Sequence, residues 1–157
     1  MEATAKRIRA PLGRAPGEAE DLYALQSRLR ALMWDEVGLI RTGAGLRTAL
    51  TEIEDITRRA ERVGVSGGVA YNLAWQDWLN LQSQTTAAWL IARSALERAE
   101  SRGSHFRSDC PQPATALSTV CIALADGLTP KVWTEPVRLT RLDPSAARPA
   151  AMVEVGD

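Results

Sequence analysis

Apolar residues recur at spacings of three and four through Leu22, Leu25, Leu29, Leu32 and Met33, one face of an amphipathic helix. The pattern sharpens at Glu18, runs on through Trp34 to Val37 and stops at Gly38, predicting a first helix over about 18–37. A second, over about 43–63, follows Thr42 as its N-cap and buries Leu46, Leu50, Ile53 and Ile56 on one side. Arg58, Arg59 and Arg62 fall in its last turns, where positive charge suits the carbonyl end of the helix dipole, and Gly64 marks its end. Residues 64–70 read as a glycine-rich linker. The third and longest helix, about 72–102, carries Leu73, Trp78, Leu81, Thr85, Ala88, Trp89, Ala92, Leu96 and Ala99 at the 3.6-residue period, and Gly103 ends it. Trp78 and Trp89 lie about three turns apart on one face.

After Pro111 and Pro113 the period changes. Residues 116–124 and 131–142 are rich in Val, Thr, Leu and Trp, predicting a two-stranded antiparallel hairpin with a Gly- and Pro-containing connection. Residues 1–17 hold no lasting period and read as a flexible leader or a docking arm, and 144–157 as a tail. The expectation is a mainly α protein: a three-helix up-down bundle followed by a small hairpin, in one domain over 18–143.

Composition narrows the chemistry. At 157 residues the chain is long enough for one domain with a real core. Its 19 Lys+Arg balance 19 Asp+Glu, which argues against nucleic acid as a partner. No apolar run approaches the ~20 residues of a membrane-spanning helix, and the first residues lack a secretory signal's apolar core, so direct membrane insertion is not expected and a reducing cytoplasm is. Two cysteines, Cys110 and Cys121, are too few for an iron–sulfur cluster, and His105, the one histidine, cannot build a zinc site by itself. Seventeen of the 19 basic residues are Arg, from a GC-rich genome or an Arg-rich contact surface.

Cofactor and nucleophile motifs are weak. Gly43-x-Gly45 and Gly64, Gly67 and Gly68 neither follow a strand nor match G-x-G-x-x-G, so they read as helix punctuation. There is no G-x-S-x-G elbow. Cys110 lies five residues from His105, but such closeness gives no activation unless the fold aligns the two; Cys121 reads as a small strand hydrophobe. The densest polar stretch, 100–111, has a plain reading: Arg102 and His105 cap the long helix, and Arg107 and Asp109 form a surface pair worth under ~1 kcal/mol.

That stretch also carries a resemblance. Glu100-Ser101-Arg102-Gly103-x-His105-x-Arg107-x-Asp109-x-Pro111 resembles the hallmark segment of the C-terminal domain of succinate dehydrogenase/fumarate reductase flavoproteins, a group that includes L-aspartate oxidase. Leu25-Gln26 through Leu32-Met33-Trp34, then Val37-Gly38-Leu39-Ile40-Arg41, is similar to an upstream helix of that family. Tyr71-Asn72-x-Ala74-Trp75-x-Asp77-x-Leu79-x-Leu81 is similar to the start of its long helix, and Pro136-Val137-Arg138-Leu139-Thr140-Arg141 to its closing strand. Two departures stand out: Leu81-Gln82-Ser83-Gln84 where the family carries an Asn, and Cys110 where an aromatic residue is common.

The family places an FAD-binding domain and a substrate-capping domain before this segment, so no catalytic, cofactor-binding or metal residue carries over to this chain. The resemblance implies the small subunit of a split FAD-dependent oxidoreductase, completing a partner subunit that holds FAD and a small carboxylate substrate. Glu100, Ser101, Arg102, Gly103, His105, Arg107 and Asp109 are then the interface or motif candidates, with Arg102, His105, Arg107 and Asp109 at or near the partner contact. The alternative is a free-standing helical interaction or scaffold domain with no enzymatic role. An excised piece of a longer gene is a third reading, against which the leader after Met1 favours a natural start.

Overall fold

The computed structural model describes residues 2–16, 20–125 and 129–140. In chain order they form α1 (Glu2–Arg9) with a 3-10 turn over Ala10–Gly13, α2 (Leu22–Val37), β1 (Ile40–Arg41), α3 (Gly43–Ala60), α4 (Leu73–Glu97), β2 (Phe106–Arg107), β3 (Ser118–Ala125) and β4 (Thr129–Pro136). The architecture is mainly α with an antiparallel hairpin, as the periodicity predicts.

Each long helix starts on a side-chain cap. Asp21 accepts from the N–H groups of Tyr23 (2.8 Å) and Ala24 (3.2 Å), so α2 begins at Leu22 rather than near residue 18. Thr42 Oγ1 accepts from Gly45 N–H at 3.0 Å, the predicted cap of α3. Asn72 caps α4 by accepting from Trp75 N–H at 2.9 Å, and its amide nitrogen donates back to Ser66 O and Gly68 O, tying the linker to the helix it feeds. Tyr71 just before it has φ +53°, a left-handed turn that the linker bonds hold.

The core lies between α2, α3 and α4. It joins Leu22, Leu25, Leu29 and Leu32 to Leu46, Ala49, Ile53, Ile56 and Ala60, and both to Trp78, Leu81, Ala88, Ala92 and Ala95. Burying each large aliphatic chain contributes roughly 1.5–3 kcal/mol. Alanines along the second half of α4 leave α3 and α2 room to approach. Trp78 is buried and donates its indole N–H to Ala60 O at 2.7 Å, closing the last turn of α3. Trp89, on the same face as predicted, donates to Glu54 at 3.2 Å. Leu50 is only half-buried, and Leu73, expected on the core face, is exposed in the first turn of α4.

Several boundaries differ from expectation. The helix of α3 ends at Ala60, and Arg59 and Arg62 turn to the carboxylate of Glu20, while Arg58 pairs with Asp55. The long helix ends at Glu97 rather than Arg102, because Arg98 turns extended (φ −81°, ψ 92°) and the segment after it bonds elsewhere. β4 ends at Pro136, short of residue 142; Val137 N–H still reaches Leu117 O at 3.0 Å, and 141–142 lie outside the described residues. So do residues 126–128 of the expected connection, whose Pro130 lies within β4, and the 144–157 tail. Sequence reading missed the parallel pairing of β1 with β2, Ile40 opposite Phe106 and Arg41 opposite Arg107.

The leader carries α1, and its contacts are with this chain's own body. Pro11 is buried, Pro11 O accepts from Val65 N–H at 3.0 Å, and Ile8 O accepts from the indole of Trp75 at 2.7 Å.

Candidate functional site

The 98–114 segment folds back across the C-terminal end of α4 and the N-terminal end of α3. Arg107 is its centre. The residue is 5% exposed, so the pair it makes is not the surface pair expected from sequence. Its Nη1 donates to Leu96 O (3.0 Å) and Arg98 O (3.4 Å), the carbonyls that α4 leaves open. Its other edge grips Asp109 in a fork, Nε to Oδ1 at 3.0 Å and Nη2 to Oδ2 at 2.6 Å. Asp109 Oδ2 also accepts from the N–H of Gly43, the first residue of α3, at 2.9 Å. A cation thus sits on the negative end of one helix, an anion on the positive end of the next, and the two are bonded to each other. Arg107 and then the Gly43 N–H hold the Asp109 carboxyl far below the usual range, and Asp109 in turn raises the Arg107 guanidinium.

Gly43 leaves room for this fork. A Cβ at this position would lie 2.6 Å from Arg107 Nη2 and 3.0 Å from Asp109 Oδ2.

Glu100 is the second anchor, 4% exposed. Oε1 accepts from Arg98 (2.6 Å), and Oε2 from Ala114 N–H (2.8 Å) and Arg102 Nε (3.2 Å). The Ala114 N–H above all, helped by Arg102 and Arg98 against the opposing effect of burial, lowers its carboxyl below the ordinary value. Arg102 Nη2 donates to Ala114 O at 2.6 Å, so Arg102 clamps the loop rather than capping α4. Ser101 Oγ accepts from Arg107 N–H (2.9 Å) and donates to Cys110 O (2.8 Å). Between them Arg102 and His105 exchange backbone bonds at 2.8 and 3.0 Å around Gly103, whose φ of +58° any side chain would strain.

His105 does cap the helix, as expected. Its Nε2 lies 3.1 Å from Arg98 O, an acceptor only, so Nε2 carries the proton. Nδ1 is then the acceptor for Arg41 Nη1 at 3.1 Å. Burial, with Arg41, Arg98 and Arg107 nearby, lowers the imidazole pKa against the raising effect of the Arg98 carbonyl, so the ring is neutral at pH 7. Both ring nitrogens are committed, and neither pairs with Cys110; the Cys–His arrangement considered from sequence is not formed.

The seven motif candidates therefore come together in one bonded network. Glu100 and Arg107 are inside it, while Arg102, Gly103 and part of Asp109 reach the surface. Sequence reading missed three members. Arg41 comes from β1, Gly43 from α3 and Arg98 from the end of α4; of these only Arg41 was marked in the sequence, as the last residue of the family-like stretch from Val37.

Among the described residues, the N-terminus of α3 beside this segment does not fit the pyrophosphate of FAD. A dinucleotide needs free N–H groups at a helix N-terminus. At α3 the Gly43 N–H is taken by Asp109 and the Gly45 N–H by Thr42, and the Glu36 carboxylate packs against Gly45. Two carboxylates there would repel a phosphate. Among the described residues no group of three or more His, Cys, Asp or Glu could hold a metal ion, and no helix is long and apolar enough to cross a membrane.

Comparison with known proteins gives the family and the fold. A family model described as fumarate reductase flavoprotein C-term matches residues 26–151. An L-aspartate oxidase of Rhodospirillum rubrum is 43% identical over 103 residues, covering 66% of this chain and 31% of its own. An uncharacterized FAD-dependent oxidoreductase of Methanocaldococcus jannaschii is 39% identical over 92 residues, 59% of this chain and 16% of its own. The chain thus spans less than a third of the length of either relative. Among solved structures, the Mycobacterium smegmatis Sdh1 complex in the apo form superposes with a TM-score of 0.75 at 26% identity, over 90% of this chain and 24% of the other. With the family matched across most of its length, the chain belongs to the fumarate reductase flavoprotein C-terminal domain family.

Proposed function

We propose that this chain completes and stabilises a separate flavin-bearing polypeptide in an FAD-dependent oxidoreductase of the succinate dehydrogenase/fumarate reductase type, and does no chemistry itself. FAD and the substrate, a small carboxylate, belong to that partner. The observation that carries the reading is the state of the hallmark segment: Glu100, Ser101, Arg107 and Asp109 are spent on holding helix ends and a loop in place. A segment built that way shapes a surface. Its preservation in a chain matched as the C-terminal domain of a flavoprotein family supports a role in assembly.

The test is purification of the tagged chain from its native host with a visible spectrum of the eluate. A larger co-eluting polypeptide with a flavin band that bleaches on reduction is the expected result. A colourless eluate with no such polypeptide refutes the reading and favours a free-standing interaction domain.

A further inference from the structure

A groove of about 430 Å³ opens between α4 and β3, beside the hallmark segment. Leu90, Ile91 and Val120 form its apolar side, and Arg41, Arg98 and His105 its polar side, with no carboxylate in its lining. The charges around it do not balance. Glu100 is shared by Arg98 and Arg102, and Asp109 is taken by Arg107. That leaves four guanidinium groups, Arg41 included, facing two carboxylates. Among the described residues Arg41 has no acidic partner: Nε donates to Val37 O at 3.0 Å and Nη1 to His105 Nδ1 at 3.1 Å.

His105 gives this arrangement its direction. A neutral ring that accepts from Arg41 fixes the guanidinium without neutralising it. Nη2 is left without a hydrogen bond among the described residues. A half-buried guanidinium held in one orientation is suited to a carboxylate, which it meets in planar geometry. Apolar surface adjoins it in the chain: Leu39 (79% exposed), Ile40 (68%) and Phe106 (42%) flank Arg41 and His105, and Ile91 in the groove is half exposed. A cation committed to no anion, beside an apolar wall, matches an acidic side chain set among apolar neighbours, the composition of an interface core.

We propose that this groove seats an Asp or Glu side chain of the flavin-bearing polypeptide, with Arg41 as its ligand and His105 as the residue that orients Arg41. The inference rests on the assembly reading above. Its first test needs no partner: titration of the full chain with butyrate, a carboxylate on a short apolar tail, against sodium chloride at matched ionic strength, followed by 15N NMR of the Arg41 and His105 side chains. A saturable shift with butyrate, lost in Arg41→Gln, is expected. Identical responses to butyrate and chloride overturn the seat whatever the partner is.

The second test measures affinity for the flavin-bearing polypeptide. Arg41→Gln should weaken it about tenfold or more and flatten its salt dependence. Ile40→Asp, at an exposed side chain where folding is preserved, should weaken it as well, and Arg58→Gln, an exposed arginine on α3, should not. Equal affinity of all these variants overturns the seat and leaves the assembly reading standing. If the unmodified chain takes butyrate but binds no flavin-bearing polypeptide, the assembly reading fails and this occupant with it. Self-association abolished by Arg41→Gln would make a second copy of the chain the occupant, and overturns the proposal.

Discussion

Replacing Arg107 with Met removes the fork that joins the ends of α3 and α4 while keeping the apolar stem of the side chain. Met stops short of the guanidinium, so a small void adds to a loss that is mainly polar. The charge-assisted bonds to Asp109 disappear, at about 1.5–3 kcal/mol for such contacts. Leu96 O loses its donor, and an orphaned buried carbonyl costs about 1–3 kcal/mol. Arg98 O is spared, because His105 still donates to it. Asp109 offsets part of the loss: its side chain is 40% exposed and regains water. The expected destabilisation is about 2–4 kcal/mol, or a Tm lowered by about 5–15 °C for a domain of this size. Urea unfolding followed by circular dichroism measures it, with an unchanged m-value showing that the denatured state is not what moved. The double variant with Asp109→Asn checks the mechanism, since residues in direct contact should couple. A loss below about 0.5 kcal/mol, or strict additivity of the two substitutions, would refute the view that this pair ties the helices together.

Gly43→Ala should destabilise the fold despite alanine's better helix propensity, since its Cβ would lie 2.6 Å from Arg107 Nη2; a melting curve at or above the unmodified chain's would contradict this. Asn72→Ala should cost more than the ~1 kcal/mol of an ordinary cap, because the linker bonds to Ser66 O and Gly68 O go with it; Thr42→Ala, which loses a cap alone, is the comparison. Acid should weaken the fold in two stages. His105 has a lowered pKa in the folded state, so stability falls as pH drops below the ordinary 6.5 and the unfolded chain takes up the proton; His105→Gln should flatten that stage. Glu20, which Arg59 and then Arg62 hold at about 2 rather than 4.5, contributes stability that is full above 4.5 and lost as pH falls toward 2. Glu20→Gln should shrink that stage, leaving the part that Asp109 and Glu100, whose carboxyls are also lowered, contribute.

What was legible in the chain was what local chemistry decides. Leu25, Leu29 and Leu32, or Leu46, Ile53 and Ile56, declare a buried stripe by spacing alone, and Thr42 declares a cap because the bond it makes is three residues away. The end of α4 was not legible. Helical spacing continues to Ala99, but Arg107 and His105 take the carbonyls of Leu96 and Arg98 from further along the chain, and Glu100 is drawn to Ala114. The two-residue strands β1 and β2 are too short to show a period. The site was half legible for the same reason. Its acidic and basic residues crowd into one visible stretch, but Arg41 and Gly43, which connect that stretch to the bundle, lie more than 60 residues upstream in the chain.

The pairing of Arg41 with Arg107 has a consequence for the order in which the chain assembles. Everything that α2, α3 and α4 bury can be gained helix by helix. The hallmark segment instead needs residues 40–43 and 96–114 side by side, a closure reached only once the three helices have docked. It should therefore form last and open first. Native-state hydrogen exchange should find the amides of Gly43 and Ser108 released in openings that leave Leu81 protected. A partner that grips this segment would then be reading completion of the fold, and a half-folded chain would offer it no surface to grip.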